Sequence, residues 1–330
     1  MTSITFPDGA TRQLPVRPRY RERDVTLATS GGMLKGTLTQ PAAPAEDAAL
    51  IIAGSGPTDR DGNSASLPRK NDCLKMLAAG LAGAGIASLR FDKRGVGASA
   101  PTPERALRLE TLVEDGYDWL ERLADLGPYR RISIIGHSEG ALIGALVARR
   151  APVAGFVSLE GAGMTAQDTL LRQLRAQLAG PLLEAVEDIV GRLAAGRRVD
   201  PLPQAVASEP AVVAMFRPSV QPYLISWFRY DPAAVLAHLD MPVLVVQGQY
   251  DLQVGIEDAD RLAAANPRAR RLLVDGMNHV LKEVPADRAA NIAAYSRPDL
   301  ALAPSLIPAL VGFLRQDEDT SQKGVSPWST

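Results

Sequence analysis

Apolar positions along the chain fall into two alternating patterns, short unbroken runs and longer stretches with helical spacing. The runs are rich in Ile, Val and Leu and cover residues 49–53, 87–91, 132–135, 155–159, 243–246 and 272–274. A run that is apolar throughout, rather than at every second position, predicts a strand buried on both faces, as in a parallel sheet. Between the runs the period becomes that of a helix. Thr111 and Glu114 read as a capping box, with Leu112, Tyr117, Leu120 and Leu123 following on one face. A second helix is predicted from Glu139 through Leu142, Leu146 and Val147. A third runs from Asp258 to about Ala265, stopped by Asn266-Pro267. Alternation of this kind over most of the chain predicts an α/β protein with a mostly parallel, doubly wound sheet covered by helices on both faces. Residues 24–29 and 33–39, joined through Ser30-Gly31-Gly32, predict an N-terminal β-hairpin added to one edge.

The rhythm breaks over residues 164–231. Leu170, Leu171, Leu174 and Leu178, then Leu183, Val186, Ile189, Val190 and Leu193, keep a helical period on either side of Gly180-Pro181. A third apolar stretch, 211–227, is interrupted by Pro218 and Pro222. We expect a helical cap insertion lying over the C-terminal ends of the strands; the alternative is a set of helices packed on the side of the sheet. The expected organisation is therefore a core made of residues 1–163 and 232–316, a cap of residues 164–231, and a mobile tail of residues 317–330.

The densest chemical signal is Gly136-His137-Ser138-Glu139-Gly140. A Gly-x-Ser-x-Gly match is weak alone in a chain with 28 glycines. Here it leaves a predicted buried strand and opens a predicted helix, the setting of a nucleophile elbow. The glycines have a physical reason: the serine must sit in a tight, strained turn, and side chains at 136 and 140 would strike neighbouring elements. A serine hydroxyl needs a base to take its proton. The chain has three histidines. His137 lies inside the elbow, and His238 sits in a predicted helix. His279 follows the last predicted strand in Asp275-Gly276-Met277-Asn278-His279, where a base is expected, because ligands of open α/β sheets bind beyond the strand C-terminal ends. The imidazole then needs an acceptor. Asp251, at the end of the run that begins at Pro242, is favoured, and Glu160, one strand earlier, is the rival. An oxyanion would be held by the backbone N–H of Glu139 and by one from Gly54-Ser55-Gly56-Pro57. Gly56 is the first choice there and Ser55 the second.

Other segments change the picture little. Asp92 and Arg94, in Phe91-Asp92-Lys93-Arg94-Gly95-Val96-Gly97-Ala98-Ser99, are expected to pin neighbouring loops. Asp59, Arg60 and Asp61 are expected to anchor a turn rather than bind a cation. A Gly-rich loop after a strand can cradle phosphate, but no Gly-Lys-Ser/Thr follows, so a P-loop is not expected. No cluster has metal-ligand spacing, and neither metal nor cofactor is expected.

Composition adds bounds. Apolar residues are 46% and charged residues 22%, and the 36 basic and 37 acidic side chains leave a net charge of −1. That balance gives no general attraction for nucleic acid or anionic membranes. Cys73 is the only cysteine, which rules out an intramolecular disulfide and Cys-rich zinc sites. The longest uncharged apolar stretch, 76–89, is too short to span a bilayer. The first residues lack the apolar core of a signal peptide, so a cytoplasmic location is expected. Nothing bears on oligomeric state.

These motifs together resemble the α/β-hydrolase superfamily from about Thr26 to Leu314. Gly54-Ser55-Gly56-Pro57-Thr58-Asp59-Arg60-Asp61-Gly62-Asn63, and Tyr230-Asp231-Pro232 ahead of the Pro242 run, are similar to a bacterial carboxylesterase subgroup beside the serine aminopeptidase-like and dienelactone hydrolase-like branches. Many members carry histidine where this chain has Gly54. The resemblance implies a serine hydrolase acting on small-molecule carboxylic esters with short to medium acyl groups. An amidase, peptidase or thioesterase with the same triad is the near alternative, and a non-catalytic ligand-binding protein the distant one.

Overall fold

The computed structural model describes residues 20–65 and 67–316, with the backbone of 2–5 and 11–14. The tail expected at 317–330 lies outside the described residues. Strands β1 (Thr2–Thr5) and β2 (Thr11–Leu14) form a small antiparallel ladder. The main sheet has eight strands: β3 (Tyr20–Thr29), β4 (Gly32–Pro41), β5 (Asp47–Ile52), β6 (Ala87–Phe91), β7 (Arg131–His137), β8 (Phe156–Leu159), β9 (Val243–Gly248) and β10 (Ala269–Val274). Their order is β10-β9-β8-β7-β5-β6-β4-β3. The six strands from β10 to β6 are parallel, and the predicted hairpin, β3 with β4, is antiparallel at one edge.

Every residue of β5, β6, β8 and β9 is buried, which is why these strands are mostly apolar rather than alternating. Side chains alternate between two cores. Leu50 and Ile52 face one that includes residues of α2 (Leu109–Asp125), α3 (Glu139–Ala148), α9 (Pro232–Leu236) and α10 (Ile256–Ala265). Ala49 and Ile51 face the other, with α1 (Cys73–Gly83) and α12 (Leu306–Arg315). The chain leaves β5 for β6 on one side and returns to β7 on the other. A topological switch point therefore opens between the C-terminal ends of β5 and β7, where Ile52 pairs with Gly136.

Residues 166–227 hold α4 (Ala166–Arg175), α5 (Gly180–Ala194), α6 (Gln204–Ala207), α7 (Pro210–Phe216) and α8 (Gln221–Trp227). They share a third core built on Val186, Ile189, Leu193, Val206 and Phe216. The buried Gln221 staples it, donating to the carbonyls of Val199 and Phe216 and accepting from Val199 N–H.

The capping box at Thr111 is corrected. The helix begins two residues earlier, at Leu109, and Thr111 N–H instead bonds the Arg108 carbonyl. The first N–H of α2 donates to the Ser226 hydroxyl of α8 at 2.8 Å, so the cap comes from 117 residues away.

Candidate active site

Ser138 joins β7 to α3 with φ 57° and ψ −123°, a conformation few L-residues adopt. What holds it there is close backbone packing. Ser138 N–H donates to Leu159 O on β8 at 2.9 Å. A Cβ at Gly140 would lie 2.3 Å from Ile52 O, and one at Gly136 would lie 2.2 Å from Gly140 O, so neither position has room for a side chain. Across the switch point, the loop after β5 brings Gly54 against the serine; a Cβ there would be 3.1 Å from Ser138 Cβ. Gly56, at φ +65°, turns the loop beside it. The N–H groups of Gly56 and Glu139, the expected oxyanion donors, have no acceptor among the described residues.

Asp251 is not in β9, which ends at Gly248; a turn carries it above the strand. Its Oδ1 accepts from Gln253 N–H at 2.6 Å and Val254 N–H at 3.0 Å. That leaves Oδ2 to accept from His279 Nδ1 at 2.7 Å. The loop after β10 is fixed on both sides of the histidine. Asn278 donates to Asn291 Oδ1 in α11 (Arg288–Ala294), and His137 Nε2 donates to the His279 carbonyl at 2.8 Å. Ser138 Oγ and His279 Nε2 are both without hydrogen-bond partners among the described residues. Glu160 is fully buried beside Asp251, but Gly248 N–H and Gln247 Nε2 take its two oxygens at 2.8 and 2.7 Å. His238 is exposed and bonds the Ala234 carbonyl of its own helix.

Ser138 opens into a cavity of about 370 Å³ between the sheet and the helices of residues 166–227. Ser55, Gly56 and Glu139 line it from below, and Leu170, Leu224 and Trp227 from the helical side. The wall is mainly apolar; Glu139 is the sole ionisable residue in it, and the buried Thr169 hydroxyl has no partner among the described residues. A second groove, of about 350 Å³ between α2 and α3, holds an ion pair between Arg150 and Glu114, and the Tyr230 hydroxyl donates to Glu110.

A family model described as serine aminopeptidase, S33, matches residues 71–221, which include Ser138 but stop short of Asp251 and His279. Among solved structures, an α/β hydrolase from Penicillium sp. sh18, GrgF, superposes with TM-score 0.58 at 19% identity, over 90% of this chain and 98% of that one. The chain has the α/β-hydrolase fold. Proline iminopeptidase of Mycobacterium smegmatis also shares the fold, with TM-score 0.56 at 18% identity over 89% of this chain and 98% of that one. Esterase EstD of Thermotoga maritima is 25% identical over 267 residues, 79% of this chain. The chain spans 60% of the length of that curated relative.

The charges around His279 are unequal. Burial works to raise Asp251, but the facing His279, by charge and hydrogen bond, brings it down to about 2. Burial and the neighbouring Asp251 push Glu160 well above the usual carboxylate range. Burial lowers His137 to about 4, so it serves as a neutral donor to the loop of His279. Ligand atoms of Glu160, Asp251 and His279 lie within 4.8 Å of one another, dense enough for a cation, yet the bonds above already commit the two carboxylates. The expected anchors are in place. Asp92 accepts from Arg60 and Ala98 N–H, and Arg94 grips Asp115 of α2. Arg90 binds Asp61 at 2.8 Å. Sequence reasoning missed Lys93, Tyr223 and Gln247. Lys93 alone carried a usable signal, since it too follows the C-terminal end of a parallel strand. No helix among the described residues is long and apolar enough to cross a membrane.

Proposed function

We propose that this protein is a serine esterase in which Ser138 is the nucleophile, His279 the base and Asp251 the acid that orients it. The observation that carries the reading is the 2.7 Å bond between Asp251 Oδ2 and His279 Nδ1, which fixes the tautomer with Nε2 free on a loop that His137, the neighbour of Ser138, ties to the elbow; Ser138 itself opens into an apolar cavity. His279 Nε2 takes the Ser138 proton as Oγ attacks the ester carbonyl. Gly56 and Glu139 N–H receive the oxyanion, and the alcohol leaves with the proton from His279. Water then attacks the acyl-enzyme by the same route reversed. Residues 164–231 act as the cap, roofing the cavity and setting the length of acyl chain it admits. The similarity to Esterase EstD favours an ester. So does the wall: a peptidase that reads an α-ammonium needs a free carboxylate, and Glu139 is already bound by Lys93 and Tyr223. The substrate is a neutral small-molecule ester with a short to medium acyl group, and the site of action is cytoplasmic. Hydrolysis of p-nitrophenyl esters of graded length tests this. Turnover in the parent and its loss in Ser138→Ala are expected; full activity in the variant refutes the serine mechanism.

A further inference from the structure

Lys93 leaves β6 into the interior, with its side chain only 6% exposed. Such a charge is costly to bury unless its neighbours answer it. Two do. Its ammonium donates to the carbonyl oxygen of Gly54, on one side of the switch point, and lies 3.5 Å from Glu139 Oε2, on the other. Glu139 is itself buried, and its second oxygen accepts from the hydroxyl of Tyr223 on α8. Burial depresses the Lys93 ammonium while Glu139 holds it up, and burial beside Glu139 raises the Tyr223 phenol well above its ordinary range, so the phenol remains a donor. One side chain just beyond the end of β6 thus joins the loop after β5, the start of α3 and, through Glu139, the helices over the cavity.

These anchor points coincide with the reaction's geometry. Gly54 lies two residues before Gly56, and Glu139 is itself the second oxyanion donor in the function proposed above. We infer that Lys93 is a positioning residue that fixes the distance between the two oxyanion donors, and that Tyr223 is the contact through which the helical cap registers on that hole. Neither touches substrate. Their work is in the transition state, because a donor displaced by a fraction of an ångström still permits binding but meets the oxyanion poorly. This inference rests on the serine-esterase reading.

The test is a comparison of kcat, KM and the inhibition constant of an alkyl trifluoromethyl ketone, which forms a tetrahedral adduct on a nucleophilic serine. Lys93→Met leaves Glu139 buried without its cation, so Lys93→Met/Glu139→Gln is made beside it, and Tyr223→Phe, which strands no charge, is the third variant. We expect kcat to fall about 10- to 100-fold in the Lys93 variants and about 3- to 10-fold in Tyr223→Phe, with KM within about threefold of the parent. The inhibition constant should rise in step with the loss of kcat/KM, and Lys93→Arg should recover part of it. A kcat within threefold of the parent in all variants overturns the inference, as does a fall in kcat with unchanged ketone affinity. Ser138→Ala run in parallel separates the two claims. If it stays active, the serine reading fails and takes this inference with it. If it is inert while the Lys93 and Tyr223 variants keep full kcat, the inference alone fails.

Discussion

Glu160 and Asp251 are two buried carboxyl groups side by side, and the structure predicts that they carry a single charge between them. Asp251 holds it, facing His279; Glu160 keeps a proton, because burial and the charge on Asp251 both oppose its ionisation. The consequence for stability has a definite sign. An unfolded glutamate releases its proton near pH ~4.3. The folded chain retains it, so folding becomes less favourable as pH rises, by about 1.4 kcal/mol per pH unit until Glu160 ionises in the folded state. Glu160→Gln has no such proton. Its amide would point an N–H₂ at Gln247 Nε2, now 2.7 Å from Glu160 Oε2, and losing that bond costs about 1–2 kcal/mol at low pH. The parent is then the more stable protein at the acid end, and the two curves cross about one pH unit above the ordinary glutamate value. Urea midpoints of both proteins, followed by tryptophan fluorescence from pH 5 to 8, measure the difference, and groups common to both cancel. A stability difference that stays constant across that range refutes the argument, since it would mean that Glu160 ionises alike in both states.

The same pocket predicts a contrast in activity. Asp251→Asn should lower kcat about 10³- to 10⁴-fold, while Glu160→Gln stays within tenfold of the parent at pH 7; equal losses in ester turnover would contradict the assignment of roles. Gly140→Ala places a Cβ 2.3 Å from Ile52 O and 2.8 Å from Ala53 O, backbone atoms that cannot swing aside. It should cost about 1–3 kcal/mol and displace the serine, so parental melting and turnover together would count against the packing described. Ser226→Ala removes the acceptor of the first N–H of α2, and a loss of about 1 kcal/mol in chemical denaturation with near-parental kcat is expected.

Where the sequence was read correctly, the information was local. The buried strands were visible because double-sided burial makes them rich in Ile, Val and Leu, with polar residues few, and the elbow because a strand, a Gly-x-Ser-x-Gly turn and a helix are contiguous. Errors came where a distant residue supplies the missing partner. Nothing near Thr111 reveals that Ser226 will cap the helix from across the fold, so the nearest local capping pattern was chosen instead. Lys93 looked like part of a charged turn because its partners Gly54, Glu139 and, beyond it, Tyr223 are scattered over the chain.

The choice between Glu160 and Asp251 shows why chain order could narrow the acid to two residues yet leave a rival standing. Both carboxylates follow parallel strands, β8 and β9, and the fold brings them side by side under the same histidine loop. What separates them is the direction in which backbone donors turn each group. Gln253 and Val254 N–H hold one oxygen of Asp251 from behind and leave the other for His279. Gly248 N–H and the Gln247 side chain occupy both oxygens of Glu160. Gln247 also approaches Asp251 Oδ2, at 3.3 Å, so one amide touches both acids while its own oxygen has no partner among the described residues. A buried orphan acceptor is a cost the fold bears, and it is offset only if fixing the two carboxyls relative to each other matters. On that argument Glu160 is the neutral wall against which the charge on Asp251, and so the orientation of His279, is set.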